Sequence, residues 1–114
     1  MKLYHCDLGF PSGLYWPNGL YPLKFGVHAV QAADHDNIYP LPAYVDTRKS
    51  TPIEIGIEDG KIVKILYRIP LDNRKDLCIV VDTRRPVWYV ITVWTNDRTD
   101  RHRTLNKSRY ERVK

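Results

Sequence analysis

Lys64 and Arg68 lie four residues apart in a segment with strand-like alternation. Side chains on a strand repeat every second residue, so both project from one face of a sheet. Thr92 lies in another strand-like segment and joins that face if the strand order allows it. Arg101, His102, Arg103 and Thr104 follow further on. A surface carrying Lys, Arg, Thr and His can bind a phosphodiester. It can also stabilise the charge that develops when a ribose 2′-hydroxyl attacks phosphorus. His102 would serve as general acid or base near neutral pH, typically at a gain of ~10²–10⁴-fold. This chemistry requires no metal and no cofactor. The structural alternative is plain. Lys64 pairs with Glu54 across a hairpin for ~0.2–1 kcal/mol, and Arg68 is a solvated strand end.

Other constellations are absent. There is no phosphate loop, no GxGxxG run and no HExxH pair. His35 stands between Asp34 and Asp36, but adjacent helix residues point in different directions and make a poor ligand set. No metal site is therefore read. Cys6 and Cys78 are far apart in strand-like runs, which predicts buried free thiols in a reducing cytoplasm.

The charge is uneven. The formal charge is +5 over 114 residues. Residues 1–97 carry eleven basic and eleven acidic side chains, so they are neutral. Residues 98–114 carry seven basic side chains against Asp100 and Glu111. Arg98, Arg101, Arg103, Lys107 and Arg109 are the candidate contacts to nucleic acid. A solvated terminus gives the same composition.

The length predicts a single domain spanning residues 1–114, a neutral body followed by a basic segment. The apolar runs 77–81 and 87–91 fall well short of the ~18 residues that cross a bilayer, so no membrane partner is expected. A monomer or a homodimer fits.

The elements that must position these residues are few. A short strand is expected near residues 2–6. An aromatic, Pro- and Gly-rich loop follows and packs on the body. Residues 24–37 predict one central helix with Phe25, Ala29, Ala32 and Ala33 on one stripe and His28 at its border. Ile53, Ile55 and Ile57 alternate with polar residues. Glu58-Asp59-Gly60 then suits a three-residue hairpin loop, which sets Ile55 opposite Val63 and Glu54 opposite Lys64. The run 77–81 reads as a strand buried on both faces. Residues 87–94 read as a strand with Trp88, Val90, Thr92 and Trp94 on one side. The whole is α+β: an antiparallel meander of four to five strands packed against one helix. The run 95–105 is dense in polar side chains. It is either a hydrogen-bonded loop or a site.

This order resembles the small toxin fold shared by RelE, BrnT-like toxins and barnase- and colicin-type nucleases. The likeness covers roughly residues 24–104. Phe25-Gly26-Val27-His28-Ala29-Val30-Gln31-Ala32-Ala33 is similar to the histidine-bearing helix start of BrnT-like proteins. Lys61-Ile62-Val63-Lys64-Ile65-Leu66-Tyr67-Arg68 is similar to their basic strand. The stretch from Thr92-Val93-Trp94 to Arg103-Thr104-Leu105 is similar to small phage and mobile-element proteins. The resemblance implies metal-independent RNA cleavage by His28, Lys64, Arg68 and His102, with Arg101 and Arg103 on phosphates. The family's arginine after the helix histidine is missing here, where Ala32, Ala33 and Asp34 stand. That departure implies a changed site, or a fold reused for binding. Two expectations result: a toxin-like endoribonuclease, or a non-enzymatic binder of a nucleic acid or a host or cognate protein.

Overall fold

A computed structural model describes residues 1–100 and 109–112. Seven strands and one helix follow in the order β1 (Lys2–His5), β2 (Leu20–Phe25), α1 (Val27–His35), β3 (Tyr44–Asp46), β4 (Thr51–Glu58), β5 (Lys61–Pro70), β6 (Lys75–Asp82) and β7 (Trp88–Asp97). The strands form one mixed sheet in the order β1-β4-β5-β6-β7-β2-β3. The class is α+β, as expected. The sheet is not an antiparallel meander of four to five strands. β4 to β7 do run antiparallel in succession, but β2 joins β7 in parallel and β3 extends that side.

The helix is shorter than residues 24–37. Lys24 and Phe25 belong to β2, where Phe25 pairs with Val90. Gly26 caps α1, and Ala29 and Ala33 bury one turn apart against the sheet. Their small side chains let the helix backbone lie close to β7. Asn37, at a φ of 55°, takes the left-handed conformation that ends the helix.

The first face of the sheet carries the main core. Ile55, Ile65, Tyr67, Leu77, Ile79, Val81, Trp88, Val90 and Val93 meet Ala29 and Ala33 there. Phe10, Leu14 and Trp16 of the N-terminal loop pack on the same core. Tyr21 stacks on Trp88 at 4.0 Å. The second face carries a smaller cluster of Ile53, Leu66, Cys78 and Val80 beside Trp94. β6 therefore feeds both faces, as its unbroken apolar run predicts.

The hairpin register differs from expectation. Asp59 and Gly60 both have positive φ, 51° and 74°, and form a two-residue turn flanked by Glu58 and Lys61. A regular ladder from that turn would mix the faces. An irregularity between Gly56 and Ile57 corrects the phase, so that Ile55 faces Ile65 and Gly56 faces Lys64. A second irregularity at Ile53 sets Glu54 opposite Leu66, not Lys64. A third lies in the β6–β7 ladder. Val81 faces Val90 and Val80 faces Thr92. Trp88, Val90 and Val93 share the first face as a result, while Thr92 and Trp94 lie on the second.

Candidate functional site

The second face ends in a charged hollow of about 560 Å³ where the start of β4, the end of β5 and the start of β6 meet. Lys49, Arg68 and Arg98 bring three cations to its wall, and Asp7, Asp76 and Asp100 bring three acids. Cys6 opens onto the same space.

Arg68 is the organising residue. Register places it opposite Thr51 on one side and Cys78 on the other. Its Nε donates to Asp76 Oδ2 at 2.6 Å, and its Nη2 donates to the Asp97 carbonyl at 2.6 Å. Its Nη1 donates to the Asp100 carbonyl. Asp76 also takes Arg98 Nε at 3.3 Å. A guanidinium has five donors in a fixed fork, and here the fork ties β6 to the end of β7 and the chain just past it. Arg68 is a clamp and not a solvated strand end.

Lys64 shares a face with Arg68, as expected, but opens into a different, smaller hollow of about 210 Å³ with Glu58, Asp82 and Arg84. Arg84 Nη2 reaches Asp82 Oδ2 at 2.6 Å there, and the hydrogen bond holds the Asp82 carboxyl below the usual carboxylate range. His28 is exposed on α1, which packs on the first face. The sheet therefore stands between His28 and the Lys64–Arg68 face. Arg101, His102, Arg103 and Lys107 lie outside the described residues.

Arg109 has a structural partner. Its Nη2 donates to Glu54 Oε1 at 2.8 Å and Oε2 at 2.9 Å. The Tyr110 hydroxyl donates to Glu54 Oε2 at 2.6 Å. Burial and this bond push the Tyr110 phenol upward from its ordinary value. Glu54 is a buried carboxylate, and three charge-assisted contacts offset the cost of removing it from water. The Glu111 N–H donates to the Leu3 carbonyl at 2.7 Å, which joins this segment to β1.

Tyr110 also lies over His5, with ring centroids 5.0 Å apart and an interplanar angle of 65°. His5 Nδ1 accepts the Asp7 N–H at 3.1 Å and caps a short 3-10 turn. Its Nε2 is buried without a hydrogen-bond partner among the described residues. His5, Cys6 and Asp7 offer ligand atoms within 4.8 Å of one another. The lone pair of His5 Nδ1 is already committed to the Asp7 N–H, so the trio is arranged as a turn.

Sequence reasoning missed Asp76 and Lys49 and gave Glu54 the wrong partner, Lys64, whereas Tyr110 does anchor the C-terminal segment to the body as the sequence suggests. Glu54 gave one signal, an acid inside an isoleucine run. Its partners are 55 and 56 residues away, which no local pattern reveals.

The second-face cluster also sets a pH response. Burial pushes the Cys78 thiol up to about 11. An unfolded thiol ionises near ~8.5. A raised value in the folded state contributes stability that is full below the unfolded value and lost as pH rises toward the folded one. Urea midpoints should therefore fall between about pH 8.5 and 11, and Cys78→Ala should flatten that part of the profile. The raised phenols of Tyr67 and Tyr110 act with the same sign above ~10 and remain in the variant. An unchanged profile in Cys78→Ala would assign the titration to another group.

No family model, no curated protein and no solved structure matches this chain.

Proposed function

We propose that this chain is a non-catalytic binding module for nucleic acid, with its basic C-terminal segment as the contact. The carrying observation is where the positive charge remains after internal pairing. Residues 1–100 hold twelve basic and twelve acidic side chains and are neutral. Arg68 and Arg98 are engaged with Asp76. Residues 101–108 add Arg101, Arg103 and Lys107 with no acid. That segment is anchored on both flanks, by Arg68 on the carbonyls of Asp97 and Asp100 and by Glu54 on Arg109 and Tyr110.

Among the described residues, binding is favoured over cleavage because the one acid–base candidate placed there, His28, does not meet the Lys64–Arg68 face. His28 is across the sheet from Lys64 and Arg68, and Arg68 already serves structural acceptors.

Fluorescence anisotropy with labelled single-stranded RNA tests it. Three phosphate contacts predict a slope of log Kd against log salt of about 2, or roughly a 20-fold loss between ~50 and ~200 mM salt. The Arg101→Ala/Arg103→Ala/Lys107→Ala variant should lose most of that slope. A flat salt profile would reject nucleic acid as the partner. Metal-independent degradation of the RNA in EDTA would reject the non-catalytic reading in favour of a ribonuclease.

A further inference from the structure

Tyr15 differs from the other aromatic residues of the N-terminal loop. Phe10 and Trp16 meet edge to face at 5.1 Å and pack on the core. Tyr15 lies between them in sequence, yet it is 86% exposed. A large aromatic side chain kept in water calls for a reason. Tyr15 lines two adjoining hollows, of about 150 and 460 Å³, which also share Ile62. The smaller one has Tyr21 and Trp88 on its wall. Those two rings stack at 4.0 Å with 13° between their planes, and Tyr67 runs parallel to Trp88 within 11°. Three near-parallel rings rooted in the core make this wall rigid before any ligand arrives.

Polar groups are few here. The Thr83 hydroxyl is committed to the Ile62 carbonyl at 3.2 Å. Lys61 is the one charged residue on the walls of either hollow. It forms no ion pair among the described residues. Its register partner Glu58 instead lies 3.8 Å from both the N-terminus and Arg84. Aromatic walls with one unpaired cation and no acid complement a planar ring that carries a negative charge. An apolar peptide would answer the rings and leave the cation unmatched.

We infer that the two hollows form a subsite for one unpaired nucleotide of a bound strand. The base stacks on Tyr15 and Tyr21, and the phosphate meets Lys61. The inference rests on the proposed function and adds the class of nucleic acid. The strand is single, because inside a duplex the faces of each base are already covered by its neighbours. The subsite tolerates any sequence, since every base has a π-face and no side-chain amide or carboxylate on these walls reads its edge. Lys61 adds a fourth phosphate to the three of the basic segment, which takes the expected salt slope from about 2 to about 3. Stacking adds affinity that salt does not screen.

The test follows the anisotropy of labelled single-stranded RNA and of an abasic strand of equal length and charge, across a salt series. Tyr15 and Lys61 are both exposed, so the fold should survive a change at either. Tyr15→Ala should weaken RNA binding at least ~5-fold, or ~1 kcal/mol for one stacked base, at an unchanged slope. Tyr15→Phe keeps the ring and should bind as wild type does. The abasic strand should bind wild type and Tyr15→Ala equally, which assigns the loss to the base. Lys61→Ala should lower the slope by about 0.7, the value of one single-strand phosphate. Equal RNA affinity in Tyr15→Ala and wild type, an equal loss on the abasic strand, or an unchanged slope in Lys61→Ala would each overturn the inference and leave the binding function standing. So would a proline-rich peptide that binds wild type but not Tyr15→Ala and is not displaced by RNA, since aromatic grooves also take that class of ligand. Absence of wild-type RNA binding at low salt would instead reject the proposed function itself.

Discussion

Replacement of Arg68 by alanine should destabilise the fold by about 3 kcal/mol, the low end of the range for breaking a buried ion pair by removing one partner. Asp76 has a side-chain exposure of 14% and, among the described residues, would keep the longer contact from Arg98, at 3.3 Å. The Asp97 carbonyl would lose its donor as well, and so would the carbonyl of Asp100. Those two bonds are exposed and water can take the place of the donor, so the loss is concentrated at the half-buried Asp76 carboxylate. Urea denaturation should show the midpoint falling with little change in slope, since the same surface is exposed on unfolding. Arg68→Lys should recover only part of the loss, because an ammonium cannot serve three diverging acceptors from one planar fork. A loss below about 0.5 kcal/mol would show that Arg68 is not the clamp its geometry describes, and would return it to the pool of residues open to an external anion.

Glu54→Ala should cost about 2 kcal/mol, in the range for hydrogen bonds to a charged group. The alanine leaves the Tyr110 hydroxyl without its acceptor and releases Arg109 to solvent. The loss is smaller than at Arg68 because half of the arginine already faces water. The local consequence is sharper than the global one. The Glu111 N–H donates to the Leu3 carbonyl, and its hydrogen exchange should accelerate well beyond that of amides in β5 and β6. Uniform acceleration across the sheet would mean that Glu54 supports the whole fold and not the C-terminal attachment alone.

Parts of this architecture are legible in the sequence for a physical reason. β6 needs five apolar residues in a row because both of its faces are covered, whereas a strand with one wet face would alternate. Lys64 and Arg68 stand four residues apart on β5, so their common face follows from the strand period of two even though apolar residues fill both faces between them. The errors have causes too. The irregularities at Ile53, at Gly56–Ile57 and between Val80 and Val81 each insert one unpaired residue. A strict period of two carries no mark of them, so the hairpin register and half of β7 come out in the wrong phase. β2 hides behind Pro22 and merges with the apolar stripe of α1 through Phe25. β3 is three residues long, too short to alternate visibly.

The candidate site was half legible. Residue type and spacing placed Arg68 and Lys64 on one face, but not the acceptors that engage Arg68. Those acceptors arrive from β6, from the last residue of β7 and from just beyond it. Arg109 read as a surface cation because its acid lies on β4. Long-range pairing of this kind is set by strand order, and strand order is the part of a fold that local patterns constrain least.

That strand order imposes a sequence of events on the chain. β1 sits on one flank of the β4–β7 block and β2 sits on the other. The connecting loop must cross five strand spacings, about 24 Å at ~4.8 Å each, over the face that holds Phe10, Leu14 and Trp16. Residues 2–25 are made before their partners. β1 waits for β4, and β2 waits for β7, more than sixty positions downstream. The aromatic loop therefore cannot span its two native anchor strands until β7 is made. Both flanking strands are long-range pairings, which form late because the entropy of loop closure is lost before their contacts are made.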